Sequence, residues 1–309
     1  NRVGPKGLLQ PIADGLKFIL KEDYAPRGVD ALLFTLAPGL LMVPAMMGFL
    51  IIPWGGTLDL GTLPFVGDRL AGLSVNIIGA DINVGVVYLL AVAALGVYGV
   101  ALGAWASNNK WSFLGGLRAS AQMISYEIPM GLCLLAVILT AGSMLPTEIV
   151  AHQARHGWNL LAQPIAAILF FTCLLAESNR LPFDLPESES ELVGGYHTEY
   201  SSMKFGMFFI GEYANMFAGA AMMTTLFFGG WTLPFLGLDK PADSLLMGLA
   251  HIGIFMAKML GFMFIFIWVR WMLPRFRYDQ LMDLGWRRLI PLALANIILT
   301  AAVLALTHR

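Results

Sequence analysis

Long runs of uncharged, apolar residues recur along this chain and constrain its fold more than any other feature. A run of about 20 such residues has the length of a helix that crosses the hydrocarbon core of a bilayer. The composition agrees, because 58% of the residues are hydrophobic and 13% are charged, whereas soluble domains average about 25% charged. We therefore predict an all-α, polytopic helical membrane protein, with residues 1–309 as a single membrane domain. The seven predicted spans lie near residues 32–52, 83–106, 121–142, 158–177, 205–228, 245–269 and 289–307.

The positive residues predict how the chain is oriented. Cytoplasmic loops of membrane proteins retain more Lys and Arg than the loops on the opposite side. If the seven spans alternate, most of the 19 Lys and Arg residues fall on the side that holds residues 1–31. That side is predicted to be cytoplasmic, and the loop at 178–204 is predicted to lie there too.

Residues 1–30 are predicted to be a cytoplasmic-side amphipathic segment. Apolar residues recur at helical spacing between Leu8 and Leu20, while Asp14 and Lys17 point elsewhere. A helix of this length is too short to span a bilayer. We expect it to lie along the membrane interface, with lipid against its apolar face.

The loop at 178–204 is unusually acidic for so apolar a chain. Its carboxylates, together with the one just before it, are Glu177, Asp184, Glu187, Glu189, Glu191 and Glu199. Arg180 lies between Glu177 and Asp184 at a spacing which predicts that its guanidinium holds both carboxylates. Pro182 predicts that a turn, rather than an unbroken helix, brings the three together.

Four charged residues lie inside predicted spans or at their ends: Glu127, Glu177, Glu212 and Lys258. A charged side chain in a bilayer costs about 2.5–3.5 kcal/mol or more. For any one of them alone, a hydrogen bond to a neighbouring helix is an adequate explanation. The three glutamates enter from one side, beside the acidic loop, and such a cluster favours proton transfer. They are candidate proton-relay residues, and no catalytic residue is predicted.

Other kinds of site have little support in the sequence. The two cysteines lie singly in separate spans without a CxxC pair, so no iron–sulfur cluster, zinc site or disulfide is predicted. Glu148, His152 and His156 follow one another at i, i+4 and i+8, but we favour a solvated helix face over a metal site there. The net charge of −1 gives no reason to expect a nucleic-acid partner.

Four stretches of the sequence resemble one family of membrane proteins. In chain order they are NRVGPKGLLQPIADGLKFILKED, WASNNKWSFLGGLRASAQMISYE, ESNRLPFDLPESESELVGGYHTEYSSMKFGMFFIGEY and LPRFRYDQLM. The chain is similar to the membrane subunit of respiratory complex I that lies where the membrane arm meets the hydrophilic arm. That family has one further transmembrane helix before the position of residue 1. Some members also have a glutamate where this sequence has Ala94.

The resemblance implies roles for particular residues. Those assigned to the quinone chamber are Asp14, Lys17, Arg180, Asp184, Glu187, Glu189 and Glu191. Those matching buried carboxylates that link the chamber to proton pumping are Glu127, Glu177 and Glu212. The chain would help to bind quinone and couple its reduction to proton translocation within an NADH:quinone oxidoreductase, with no activity alone.

The resemblance also implies partners and a location. The expected partners are complex I subunits of both the membrane arm and the cluster-bearing peripheral arm, together with membrane lipid. Quinone is the expected substrate, and no flavin, haem or iron–sulfur cluster is expected in this chain. The expected location is the bacterial inner (plasma) membrane, with an organellar inner membrane as the alternative. Two functions stay open besides: the equivalent subunit of a related membrane-bound hydrogenase or other donor:quinone dehydrogenase, and a secondary transporter.

Overall fold

Helices make up most of the computed structural model, which describes residues 3–59, 61, 74–186, 193–233, 242 and 244–307. The helices are α1 (Gln10–Leu20), α2 (Ala31–Gly48), α3 (Gly85–Ala106), α4 (Lys110–Ala141), α5 (Pro146–His156), α6 (Asn159–Ala162), α7 (Pro164–Glu177), α8 (Ser202–Phe227), α9 (Leu245–Met272), α10 (Tyr278–Asp283) and α11 (Ile290–Thr307). A π-helical turn, Leu284–Leu289, joins α10 to α11. Two short strands, β1 (Thr57–Asp59) and β2 (Ser74–Asn76), pair antiparallel between α2 and α3.

Polar caps and prolines set where the helices begin. Asp30, Asn109 and Ser244 each accept a hydrogen bond from a backbone N–H in the first turn of α2, α4 and α9. Such caps satisfy N–H groups that have no partner inside the helix. Pro146 and Pro164 lie in the first turn of α5 and α7, where a missing N–H costs nothing.

The structure confirms the helical class, and the exact number of spans stays a prediction. Within the described residues, five helical segments are long and apolar enough to cross a membrane. They are Ala31–Ile51, Gly85–Ala106, Lys110–Ala141, Leu245–Met272 and Tyr278–Thr307. Five of the seven predicted spans therefore correspond to helices that meet this length and composition.

The other two predicted spans differ from a simple crossing helix. The span predicted at 158–177 is broken into α6 and α7 beside Pro164, and α7 is a shorter apolar helix of 14 residues. The α8 helix has 26 residues, but Lys204, Glu212 and Asn215 lower its mean hydropathy. The all-α prediction also missed the β1–β2 pair, which lies in the long loop that follows the first span.

In the part of the chain that the structure describes, two groups of packed side chains hold the helices together. The α2 helix packs against α3 and α8, and α4 packs against α3, α7 and α11. The larger core is centred on fully buried aromatics such as Tyr126, Phe170 and Phe227. A second core between α2, α3 and α8 contains Phe34 and Phe208. Residues of the 178–204 loop join both cores, with Phe183 and Leu185 in the larger one and Tyr196 and Tyr200 in the second.

The predicted amphipathic segment forms α1, which lies against α8. None of its residues is buried, and Ile12, Leu16 and Ile19 are each more than half exposed. The described part of the chain therefore leaves the apolar face of α1 uncovered. The helix itself is confirmed, and its position along a membrane interface stays a prediction.

Candidate functional site

Arg180 and Glu212 form a buried ion pair at the end of α7. Asn179 adopts a left-handed conformation, with φ 50, which is more accessible to asparagine than to most residues. This turn directs Arg180 toward α8, where its Nη2 lies 3.7 Å from Oε2 of Glu212. The hydroxyl of Tyr196 donates a hydrogen bond to Oε1 of the same carboxylate at 2.7 Å. Both charged side chains are almost inaccessible, with residue exposures of 8% and 3%.

The guanidinium of Arg180 also lies over an aromatic ring. Its Cζ is 4.3 Å from the ring centroid of Tyr213, a cation–π contact. Its Nε and Nη2 are buried without a hydrogen-bond partner within the described residues. Arg180 is therefore fixed by charge and stacking, and among the described residues no acceptor bonds to two of its donor nitrogens.

Tyr213 belongs at the same time to an apolar groove of about 740 Å³ between α1, α2 and α8. Most of the wall is hydrophobic, with Phe18, Met46, Phe49, Phe209, Ile210 and Phe217 among its residues. Asp14 also lines the groove, and its Oδ1 accepts a hydrogen bond from Gln10 at 3.0 Å. The groove thus reaches from the amphipathic helix to the residue on which Arg180 stacks.

Lys17 does not line this groove. It lines a neighbouring cavity of about 260 Å³ together with Lys21 and Tyr200, and Phe18 is part of both walls. The two residues that the resemblance assigned to one quinone passage are therefore on adjacent cavities of α1.

Asp184 is held by the segment that joins α9 to α10. Its Oδ2 lies 2.7 Å from Nη2 of Arg275, and the backbone N–H of Phe276 donates to the carbonyl of Pro182 at 3.1 Å. The ring of Phe276 also stacks on that of Phe183. This segment, in the LPRFRYDQLM stretch, anchors the start of the acidic loop.

The predicted bridge from Arg180 to both Glu177 and Asp184 is therefore wrong. Arg180 pairs with Glu212 and Asp184 pairs with Arg275, because the turn at Asn179 points the arginine away from α7. The prediction that no unbroken helix runs through Pro182 is confirmed, since α7 ends at Glu177, but the turn that follows does not bring the three charged groups together. The remaining predicted chamber residues, Glu187, Glu189 and Glu191, lie outside the described residues.

Glu127 and Glu177 form a second group, on α4 and at the end of α7. The two carboxyl groups interact electrostatically, and Oε1 of Glu127 is buried without a hydrogen-bond partner in the described part of the chain. Glu177 and Asn215 line a cavity of about 30 Å³ between α2, α3, α7 and α8. A cavity of this size has room for a water molecule. Asn215 lies one helical turn from Glu212, so the cavity approaches the ion pair as well.

Gln122 organises the turn that carries these residues, and sequence reasoning missed it. It is fully buried on α4, and its Nε2 lies 2.6 Å from the carbonyl oxygen of Ala176 and 2.8 Å from that of Phe183. The same nitrogen is 3.5 Å from Oδ1 of Asn179. A glutamine within an apolar run was the available signal, because a buried amide needs partners.

Replacing Gln122 by leucine is expected to loosen this turn. The substitution leaves buried carbonyl oxygens without donors, at a cost of about 1–3 kcal/mol each. We expect faster amide hydrogen exchange over residues 178–186 in the purified complex. Gln153→Leu is the matched control, because Gln153 is equally buried but bonds to Thr225, so its effect should appear at 224–230 instead. Equal effects of both variants on 178–186 would contradict the role of Gln122.

Glu148, His152 and His156 all lie on α5, as their spacing suggested. The two imidazole rings stack with centroids 4.4 Å apart. Burial, followed by the charges of His156 and Arg155, lowers the pKa of His152. No group of three potential metal ligands forms within the described residues, so these contacts give no metal site.

These features define a class: a multi-pass helical membrane protein in which an apolar groove adjoins a buried arginine, its buried glutamate partner and further carboxylates that are at least part-buried. The chain belongs to the NADH dehydrogenase family, whose family model matches residues 1–301. This membership confirms the family that the four sequence stretches predicted.

Several relatives match nearly the whole chain. An NADH-quinone oxidoreductase subunit of Cytophaga hutchinsonii is 50% identical over 309 residues, which cover 99% of this chain and 86% of the relative. The corresponding subunit of the same enzyme from Koribacter versatilis is 50% identical over 310 residues, covering 99% and 87%. NADH-quinone oxidoreductase subunit 8 of Rhodothermus marinus is 47% identical over 315 residues, covering 99% and 87%.

Proposed function

We propose that this chain forms part of the quinone chamber of a proton-translocating NADH:quinone oxidoreductase and helps to couple quinone reduction to proton translocation. The observation that carries the proposal is that Tyr213 contacts both the apolar groove and Arg180. Its ring lines the apolar groove and also receives the guanidinium of Arg180, which pairs with Glu212. Tyr213 therefore connects the apolar groove to the buried ion pair.

The groove has the properties that a quinone tail requires. Ligand pockets typically measure about 300–1,000 Å³ and are mostly apolar with a few polar groups, and this groove fits that description at about 740 Å³. Asp14 and Tyr213 contribute polar groups to its wall. The apolar face of α1 beside it suits a molecule that arrives from the membrane.

In the proposal, the carboxylates take up and release protons when quinone is reduced. Reduction of a quinone to a quinol takes up two electrons and two protons, and we assign the supply of electrons to cluster-bearing partner subunits. In the proposal, Glu212 exchanges protons with Glu177 through the small cavity beside Asn215, and Glu177 exchanges them with Glu127. The three glutamates thereby connect α8, α7 and α4 in one relay.

The names of the relatives favour NADH as the donor of the complex over the hydrogenase alternative. All three relatives described above are named as NADH-quinone oxidoreductase subunits. We accordingly propose an inner membrane as the location and the other subunits of the complex as partners.

Substituting Ile210 by tryptophan tests whether the groove receives the tail. Ile210 lines the groove and is half exposed, so the larger ring would fill tail-binding space without touching the Arg180–Glu212 pair. We expect the apparent KM for a long-tailed quinone to rise about tenfold, the effect of losing about 1.4 kcal/mol of binding. The KM for a short-tailed analogue should change little.

Ile168→Trp provides the control for added bulk, because Ile168 is exposed on α7 and does not line the groove. Equal KM changes for long-tailed and short-tailed quinones in Ile210→Trp would contradict a tail-binding groove. Unchanged KM for both would contradict it as well.

A further inference from the structure

Lys258 lies near the middle of α9 and donates its hydrogen bonds to backbone carbonyls. Its Nζ is 2.7 Å from the oxygen of Phe228, 2.9 Å from that of Gly230 and 2.7 Å from that of Thr232. The ring centroid of Trp158 lies 4.9 Å from the same nitrogen. A lysine ammonium has three N–H donors, so its capacity is filled by this one turn.

The turn Phe228–Thr232 is shaped to aim these carbonyls inward. Gly229 and Gly230 have φ values of 68 and 54, a left-handed conformation that favours glycine. Space also requires glycine, because a Cβ at Gly229 would lie 2.8 Å from Nε1 of Trp158. A Cβ at Gly230 would lie 2.8 Å from a methyl group of Val150. The two glycines therefore permit a tight loop of backbone around the ammonium.

The turn follows the C-terminal end of α8, whose last carbonyls also bond to side chains from other helices. Gln153 of α5 donates to the carbonyl of Thr225, and Asn159 of α6 donates to that of Leu226, each at 2.8 Å. These carbonyls have no partner within the helix, and a bilayer offers no donors to replace water. The C-terminal end of a helix also carries partial negative charge, which stabilises a cation. Lys258 is a third side-chain donor to carbonyls at this end of α8, after Gln153 and Asn159.

We propose that the turn Phe228–Thr232, together with the ring of Trp158, is a binding cradle for a primary ammonium group. The side chain of Lys258 is its built-in occupant, and the contact fixes the end of α8 against α9. Converging carbonyls at the end of a broken helix are the arrangement with which membrane transporters bind small cations. Here the cation is part of the chain. The proposal does not depend on the proposed quinone chemistry.

The test is to empty the cradle and refill it. Lys258→Ala removes Cγ, Cδ, Cε and Nζ, the same atoms that make up n-propylammonium. In the purified complex we expect amide hydrogen exchange over residues 224–232 to become at least about tenfold faster, because loss of a single charge-assisted hydrogen bond already accounts for a factor of about ten. Addition of n-propylammonium chloride should restore slow exchange. Neither n-propanol, which has no charge, nor tetramethylammonium, which has no N–H donor, should restore it.

Further variants separate the ammonium from the space that the side chain fills. Lys258→Met keeps an apolar chain but no donor, and it should show the fast exchange without recovery on addition of the amine. Lys258→Arg should restore protection only in part, because a planar guanidinium cannot point three donors at converging carbonyls. Lys204→Ala is the control, since Lys204 pairs with Asp23 at 3.0 Å at the opposite end of α8, and it should leave exchange over 224–232 unchanged.

Two results would overturn the proposal. One is a wild-type rate of amide exchange over 224–232 in Lys258→Met. This variant also tests the proposal if Lys258→Ala does not assemble. The other is equal recovery of Lys258→Ala with n-propanol and n-propylammonium, because the cradle would then need only filled volume.

Discussion

Replacing Arg180 by alanine is expected to lower quinone turnover about 100-fold and to reduce the amount of assembled complex. The change removes the cation beside Glu212, and breaking a buried ion pair costs about 3–5 kcal/mol because the partner charge is left behind. If about 2.7 kcal/mol of this loss raises the barrier to quinone reduction, turnover falls by a factor of about 100, and the rest lowers the stability of the complex. The same change removes the contact with the ring of Tyr213, so the wall of the groove should also loosen.

Arg180→Lys separates charge from shape at this position. A lysine keeps the positive charge beside Glu212 but lacks the planar group that stacks on Tyr213. We expect it to assemble normally and to lose turnover to a smaller extent than alanine. Turnover with decylubiquinone and the yield of intact complex on a native gel measure the two effects separately. Arg277→Ala is the control, since Arg277 is exposed and pairs with Asp279.

An Arg180→Ala complex with wild-type turnover and wild-type yield would show that the ion pair has no function. The proposed link from groove to carboxylates would then be lost with it. A fall in yield alone, with wild-type turnover per assembled complex, would make Arg180 a structural residue and would contradict the proposal equally.

The positions of most helices could be predicted from the sequence, because apolar runs in a membrane protein are bounded by polar residues that also cap helices. The predicted run at 83–106 corresponds to Gly85–Ala106, and the run at 32–52 to Ala31–Ile51. The start of α4 at Lys110, rather than near 121, was missed because a helix continues wherever its residues tolerate the conformation, whether or not they are apolar. The break beside Pro164 shows the converse, because a single residue can divide one apolar run into two helices.

The site was predictable in its residue types but not in its pairs. The arginine and the three glutamates could be predicted as site residues from the sequence, because a charge within or beside a membrane span is costly. Their partners depend on which helices approach. The turn at Asn179 sends Arg180 to Glu212 on α8, and Asp184 meets Arg275 from a segment far along the chain. No local spacing encodes such contacts.

Glu212→Gln is expected to lower proton uptake coupled to quinone reduction by roughly 100-fold, the usual scale for losing a group that transfers protons. The amide oxygen can still accept the hydrogen bond from Tyr196, which reaches Oε1 at 2.7 Å in the wild type. Because the glutamine keeps this shape and this hydrogen bond, assembly should fall less than in Arg180→Ala. Tyr196→Phe makes the complementary change, because it removes the hydrogen bond and leaves the carboxylate, and it should have the smaller effect on proton uptake.

A single substitution at Glu212 also leaves Arg180 without its counter-charge, so the loss could reflect an unpaired cation instead of a missing proton carrier. The double variant Arg180→Gln/Glu212→Gln distinguishes the two, because it removes both charges together. If Glu212 carries protons, the double variant stays as defective in proton uptake as Glu212→Gln. If proton uptake by the double variant recovers toward the wild-type rate, the Arg180–Glu212 pair has only a structural role. Glu148→Gln, on α5 and away from this site, is the control for removing a carboxylate elsewhere. For all four variants, the quantity measured is proton uptake by vesicles during a quinone pulse.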